Sequence, residues 1–66
     1  MDTGKIIDIL EARRNEMKIS MRKLSREAGV SHATYTSMVS TRSDMSVSNL
    51  LAYLKAMDLE LEVRAK

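Results

Sequence analysis

Apolar side chains recur along this chain with two different periods. Ile6, Ile7, Ile9, Leu10 and Ala12 fall at the spacing that lines one face of a helix, and Asp2 or Thr3 is available as a cap. A first helix is therefore predicted over about Thr3 to Asn15. Asn15 to Ile19 reads as a connection, with Ile19 tucking back onto the core. Ser20 caps a second helix, Met21 to Ala28, which stops at Gly29, a residue that accepts the positive φ of a helix exit. Ser31 caps a third helix, His32 to about Ser40, whose inner face carries Tyr35, Met38 and Val39. The polar stretch Thr41 to Met45 reads as a loop. Ser46 then caps a fourth helix with the stripe Val47, Leu50, Leu51, Leu54 and Met57. Beyond Asp58 the period falls to two: Leu59, Leu61 and Val63 alternate with Glu60, Glu62 and Arg64, the pattern of a strand with one apolar face.

The expected fold is all-α: a small bundle of four helices forming a single domain over residues 1–66. A helix-turn-helix at about residues 20–40 lies at its centre, and a short C-terminal β-strand follows at about 59–65. Composition agrees, because the apolar share rests on Leu, Ile, Val, Ala and six Met, with no Pro, Phe or Trp. Met17, Met21, Met38, Met45 and Met57 are read as adaptable core or interface filler. A chain of this size buries only about 60% of its unfolded surface, and it has no cysteine with which to staple itself. Dimerisation is one way to finish the core. No apolar run reaches the roughly 20 residues of a membrane span and nothing resembles a signal peptide, so a cytoplasmic location is expected.

An enzyme is not expected. There is little room to shield a pocket, and no paired carboxylates, activated nucleophile or phosphate-cradling glycine loop is present. No cofactor and no metal are expected either, since His32 is the single histidine and no cysteine exists to share a site with it.

Net charge is only +2, but it is unevenly placed. Residues 13–42 hold seven cations (Arg13, Arg14, Lys18, Arg22, Lys23, Arg26, Arg42) against Glu16 and Glu27, a net of +5. The flanks hold four cations against seven carboxylates, a net of −3. A basic middle between acidic ends suits a polyanion on one face, although charge alone barely separates that from an ordinary solvated surface.

Only Gly29, Val30 and Ser31 separate the second and third helices, a turn that sets two short helices steeply across one another. Leu24, Ala28, Val30, Tyr35 and Met38 are spaced to share a core. His32, Ala33, Thr36 and Ser37 are left on the outer face of the third helix, and their small size suits entry into a major groove. Arg22, Lys23 and Arg26 lie beside them on the second helix, placed for phosphates. His32 offers a donor to guanine or phosphate, Ala33 a contact for a thymine methyl, and Ser31 a helix N-terminus that favours anions.

The run Ile19-Ser20-Met21-Arg22-Lys23-Leu24-Ser25-Arg26-Glu27-Ala28-Gly29-Val30-Ser31 resembles the helix-turn-helix of Cro and lambda-repressor type regulators, the XRE family. Leu50 to Leu59 is similar to that family's later core helix, so the resemblance covers nearly the whole chain. It implies a sequence-specific, DNA-binding transcription regulator of prokaryotic or phage origin, acting as a dimeric repressor. Its partner would be double-stranded DNA carrying a two-fold operator, read in successive major grooves. It also implies that Ser31, His32, Ala33 and Ser37 face bases or the adjoining backbone. Ser20, Met21, Thr41 and Arg42 join Arg22, Lys23, Arg26 and Ser31 as backbone contacts. The chain departs from the family pattern in places. Met21 stands for a common Gln, Lys18 for a common Gly or Asn, and Thr41 where Gly usually ends the third helix. Val39 replaces a frequent Glu, which deprives Arg14 of a helix-3 partner.

Leu59, Leu61 and Val63 are the expected dimerisation residues, through antiparallel pairing of the terminal strand with its two-fold mate. A register centred on Val63 would set Glu62 opposite Arg64 and Glu60 opposite Lys66. The rival function is that of an antitoxin, which masks a toxin protein through the apolar tail and also binds its own promoter.

Overall fold

Each of the four helices begins at a side-chain oxygen and is followed within two residues by a left-handed one. The computed structural model describes residues 2–65 and contains α1 (Thr3–Glu16), α2 (Met21–Ala28), α3 (His32–Thr41) and α4 (Val47–Ala56). Asp2 accepts from the Lys5 amide at 2.9 Å, Ser20 from Lys23 at 3.0 Å, and Ser31 and Ser46 from Thr34 and Asn49, each at 3.1 Å. Each cap satisfies one otherwise orphaned amide of a first turn and contributes about 1 kcal/mol.

At the other ends, the amide two or three residues past the helix folds back to the carbonyl five residues earlier in the chain. Ile19 donates to the Arg14 carbonyl, Val30 to Ser25, Ser43 to Met38 and Leu59 to Leu54, at 3.3, 3.0, 3.3 and 2.8 Å. This closure needs a positive φ at the residue before the donor. Gly29 supplies 74° without strain, whereas Lys18, Arg42 and Asp58 take 57°, 56° and 57° with a side chain attached. Ile19, Val30 and Leu59 then pack against the core.

The core joins Ile7 and Leu10 of α1, Leu24 of α2, Tyr35 and Met38 of α3, and Tyr53, Leu54 and Met57 at the end of the bundle. The rings of Tyr35 and Tyr53 meet edge to face, with centroids 4.9 Å apart and planes at 77°. Ser25 is the buried polar residue of α2, and its hydroxyl donates to the Met21 carbonyl at 2.8 Å. Inside the bundle α2 packs on both α3 and α4.

Two expectations are corrected. No strand forms among the described residues, although the tail alternates as a strand would. A strand needs a neighbour to complete its ladder, and the rest of this chain is taken up by helices and their connections. Leu59 instead belongs to the cap of α4 and packs inward, while Leu61 and Val63 are 52% and 86% exposed. Arg64 pairs with Glu62 of its own tail at 2.8 Å, and the proposed mate of Glu60, Lys66, lies outside the described residues. The stripe of α4 is also rotated. Its inner positions are Leu50, Tyr53, Leu54 and Met57, and Val47 and Leu51 are 68% and 48% exposed. The whole Tyr53 ring is inside against Tyr35, which turns Leu51 out.

The left-handed residues give a direct stability test. An L-residue in this region carries about 1–2 kcal/mol of strain, and replacement by Gly returns about 0.4–1 kcal/mol of that to the freer unfolded chain. Lys18→Gly is expected to stabilise by roughly 0.5–1 kcal/mol, and Gly29→Ala to destabilise by about as much or more. Urea midpoints at constant m-value check both signs.

Candidate nucleic-acid interface

The turn from α2 into α3 is Gly29, Val30 and Ser31. A Cβ at Gly29 would meet nothing within 4 Å, so the demand for glycine comes from its φ and not from crowding. Val30 packs against the core and Ser31 opens α3. Because Tyr35 and Met38 occupy the inner face, the exposed residues of α3 are Ala33, Thr34, Ser37, Ser40 and Thr41, none larger than threonine.

The four residues expected to face bases are not equivalent. Ala33 and Ser37 stand open. His32 is half-buried, and its Nδ1 has no hydrogen-bond partner among the described residues. Thr36 is half-buried too, and its hydroxyl donates back to the His32 carbonyl at 2.9 Å. Thr34 was missed by the sequence reading and shares the exposed side with Ser37 and Thr41. Its three- and seven-residue spacing from them was the available signal. Its hydroxyl is already linked to that of Ser31 at 2.6 Å.

The cations separate into two groups. Arg13, Arg14, Arg42 and Arg64 each hold a carboxylate, those of Glu16, Glu11, Asp8 and Glu62, at 2.7, 2.7, 2.9 and 2.8 Å. Arg22, Lys23 and Arg26 on α2 are exposed, and none of them is ion-paired among the described residues. Of the other positions expected at the backbone, Ser20 and Ser31 are exposed caps beside those cations. Met21 is half-buried against the core, and the Thr41 hydroxyl donates to the Ser37 carbonyl at 2.8 Å. Arg42 is committed to α1: it bonds Asp8 and donates to the Gly4 carbonyl at 2.9 Å. Asp8 is lowered below the usual carboxylate range chiefly by this hydrogen bond. Arg42, and not Thr41, is also the left-handed end of α3.

An open groove of about 510 Å³ runs from the exposed side of α3 to the start of α4, with Ala33, Thr34, Ser37, Asp44, Asn49 and Tyr53 among its walls. A family model described as helix-turn-helix matches residues 10–63, from the middle of α1 into the tail. The chain belongs to the helix-turn-helix family, in its Cro and lambda-repressor (XRE) branch. No curated protein and no solved structure is matched by it. Membership makes this a DNA-binding, transcription-regulating domain. No helix among the described residues is long and apolar enough to cross a membrane.

What holds the helix-turn-helix against α1 is a relay of polar groups. The Tyr35 hydroxyl donates to Glu11 Oε2 at 2.8 Å. The Arg14 guanidinium grips both oxygens of Glu11, at 2.7 and 2.9 Å, and reaches the Ile19 carbonyl at 2.8 Å. Arg14, left without a helix-3 carboxylate by Val39, thus finds its partner on its own helix, and the link to α3 runs through Tyr35. The Arg14 hydrogen bond holds the Glu11 carboxyl below its ordinary value, against the upward push of partial burial and with help from Tyr35. Burial first, and then Glu11, push the Tyr35 phenol upward.

A carboxyl lowered by folding contributes stability above its unfolded value of about 4.3, and that stability is lost as pH falls through the lower folded value. Glu11→Gln is expected to cost about 1–3 kcal/mol at neutral pH. Its stability should also decline less steeply than that of the parent below about pH 4. Urea titrations at a series of pH values check this; parallel curves for the two proteins would remove Glu11 as the acid-sensitive link.

Proposed function

We propose that this helix-turn-helix protein is a sequence-specific repressor, two copies of which bind a two-fold operator through the major groove and block transcription by occupying it. The observation that carries the reading is the pairing of a slim α3 surface with adjacent unpaired cations on α2. The exposed face of Ala33, Thr34 and Ser37 lets α3 lie close against the base edges of a major groove, which is wide enough to admit an α-helix. Arg22, Lys23 and Arg26 grip phosphates and set the register of α3, with the Ser20 and Ser31 caps adding helix N-termini to the same backbone.

Ala33 and Ser37 read base edges directly, Ala33 through a thymine methyl and Ser37 through its hydroxyl. His32 and Thr36, at the edge of the face, contribute at the boundary between base and backbone. Arg42, occupied by Asp8 and Gly4, serves α3 by fixing its end to α1. The same side chains that contact phosphate make affinity fall steeply with salt.

Selection of bound fragments from random DNA is expected to enrich a palindrome with half-sites one helical turn apart. Against that site, Arg22→Ala is expected to weaken binding to all sequences alike and to reduce the slope of log affinity against log salt by about 1. Ser37→Ala is expected to relax preference at one position of each half-site, at about 1–3 kcal/mol for the base concerned. Enrichment of no sequence, or an Arg22→Ala salt slope equal to that of the parent, would overturn the assignment.

A further inference from the structure

The two sides of α3 differ in charge. On α2 stand the exposed Arg22, Lys23 and Arg26. Towards α4 lies the open groove of about 510 Å³, a volume within the range of small-molecule sites, and its walls hold no Lys, Arg or His. Asp44 is the charged residue of this groove. The Thr3 hydroxyl donates to one of its oxygens at 2.6 Å, and the other oxygen has no partner among the described residues. No cation pairs with Asp44 among them either.

Met38 and Tyr53, both buried, form the floor. The Tyr53 hydroxyl has no hydrogen-bond partner among the described residues. A buried hydroxyl in that state is destabilising, and beside a groove it marks a place where a polar atom from outside would be gained. Burial pushes the phenol upward, so it stays uncharged at neutral pH and offers both a donor and an acceptor. Between floor and rim, the Ser37 and Ser43 hydroxyls and the half-buried Asn49 amide offer further donors and acceptors, with Ala33 and Met45 as apolar contacts. An anion in this groove meets the like charge of Asp44, and a hydrocarbon leaves Tyr53 and Asn49 unpaired. The complementary ligand is positive at one end and carries neutral hydroxyls over the rest.

We propose that the groove between α3 and α4 binds a small polyhydroxylated amine, of the class of an amino sugar, with its ammonium on Asp44 and its hydroxyls on Asn49 and the Tyr53 phenol. Ala33 and Ser37 belong both to this groove and to the face that the repressor reading sets against bases. A ligand held there excludes a base edge, so on that reading it releases the DNA.

Glucosamine, glucose and glucuronate share a ring and carry one positive, no and one negative charge. In amide NMR titrations of the full chain, at slightly acidic pH where the amine is protonated, glucosamine is expected to shift Ser37 and Asn49 saturably. Its Kd is expected at about 1–10 mM, as an open groove and a ligand of this size allow. Glucose is expected to bind more weakly and glucuronate to leave both signals in place. Asp44→Asn removes the charge but keeps an acceptor for Thr3, and is expected to weaken glucosamine at least about fivefold, to the level of glucose. Tyr53→Phe removes a hydroxyl that bonds nothing in the described protein, so helicity by circular dichroism is expected to hold while glucosamine weakens about three- to tenfold. Shifts that never saturate, glucuronate binding as tightly as glucosamine, or either variant binding like the parent would refute the site. Saturating glucosamine is also expected to lower affinity for the selected DNA in the parent and not in Asp44→Asn; an unmoved affinity in the parent would refute the shared use of Ala33 and Ser37. Saturable binding by a chain that selects no DNA sequence would leave the groove assignment standing and remove the repressor reading. Sequence selection by a chain that binds no glucosamine would do the reverse.

Discussion

The position of α3 rests on the fate of one phenol. Tyr35 is fully buried, and its ring is held edge-on by Tyr53. A hydroxyl carried that far inside needs an acceptor. Glu11 provides it, Arg14 compensates the charge so introduced, and a further donor of Arg14 goes to the Ile19 carbonyl in the turn before α2. One connected set of hydrogen bonds thus fixes α1, the α1–α2 turn and α3 in mutual register. Hydrogen bonds to charged groups in partly buried places contribute about 1.5–3 kcal/mol, against about 0–1 for exposed pairs such as Arg13–Glu16. The relay therefore outweighs the surface ion pairs. The Tyr53 hydroxyl is buried with no partner among the described residues, so the two tyrosines contribute a matched apolar contact but only one polar anchor.

The rest of the frame comes from the helix ends. With one core of eight buried hydrophobic residues, burial alone leaves a chain this size near the margin. Four side-chain N-caps and four back-folding C-termini stop each helix at a defined residue, so that the short connections have little freedom to wander. Three of the four left-handed positions are held by Lys, Arg and Asp. Their strain is tolerated because Ile19 and Leu59 are drawn into the core just beyond two of them, and because Arg42 is tied to Asp8 and Gly4 at the third.

Helix starts were legible because serine and aspartate mark them by a specific hydrogen bond: three were read at Ser20, Ser31 and Ser46, and of the two candidates Asp2 and Thr3 for the first, Asp2 is the cap. Lys18 was read only as a departure from the glycine or asparagine common at that place, and the structure shows it left-handed. The phase of α4 was not legible. Leu51 and Tyr53 both fit an apolar stripe, and only the meeting of Tyr53 with Tyr35, distant in sequence, decides which turns inward. The tail misled for a related reason: alternation describes one face of a strand but says nothing about whether a ladder partner exists. Arg42 looked like a phosphate contact by position, yet Asp8 and the Gly4 carbonyl, 34 and 38 residues away, claim it. The outward face of α3 was read correctly at Ala33 and Ser37 and only partly at His32 and Thr36, whose helical positions place them between exposed face and core.

These pairings also redistribute the charge that the sequence displays. Of the seven cations in the basic middle of the chain, Arg13, Arg14 and Arg42 are neutralised by carboxylates within 3 Å, and two of those carboxylates, Glu11 and Asp8, come from the acidic flank. What remains without an ion-pair partner among the described residues is Lys18 with Arg22, Lys23 and Arg26, offset on α2 by Glu27 alone, so a net positive field is concentrated at α2 and the turn before it. Screening at physiological salt confines such a field to about 8 Å, so only a polyanion lying along α2 feels it in full. On the proposed reading a duplex placed there would bring its groove to the small side chains of α3, whose angle to α1 the relay through Tyr35 fixes. In that repressor reading, charge chooses the side of the molecule that meets nucleic acid, and the small side chains of α3 set how closely that side approaches the base edges.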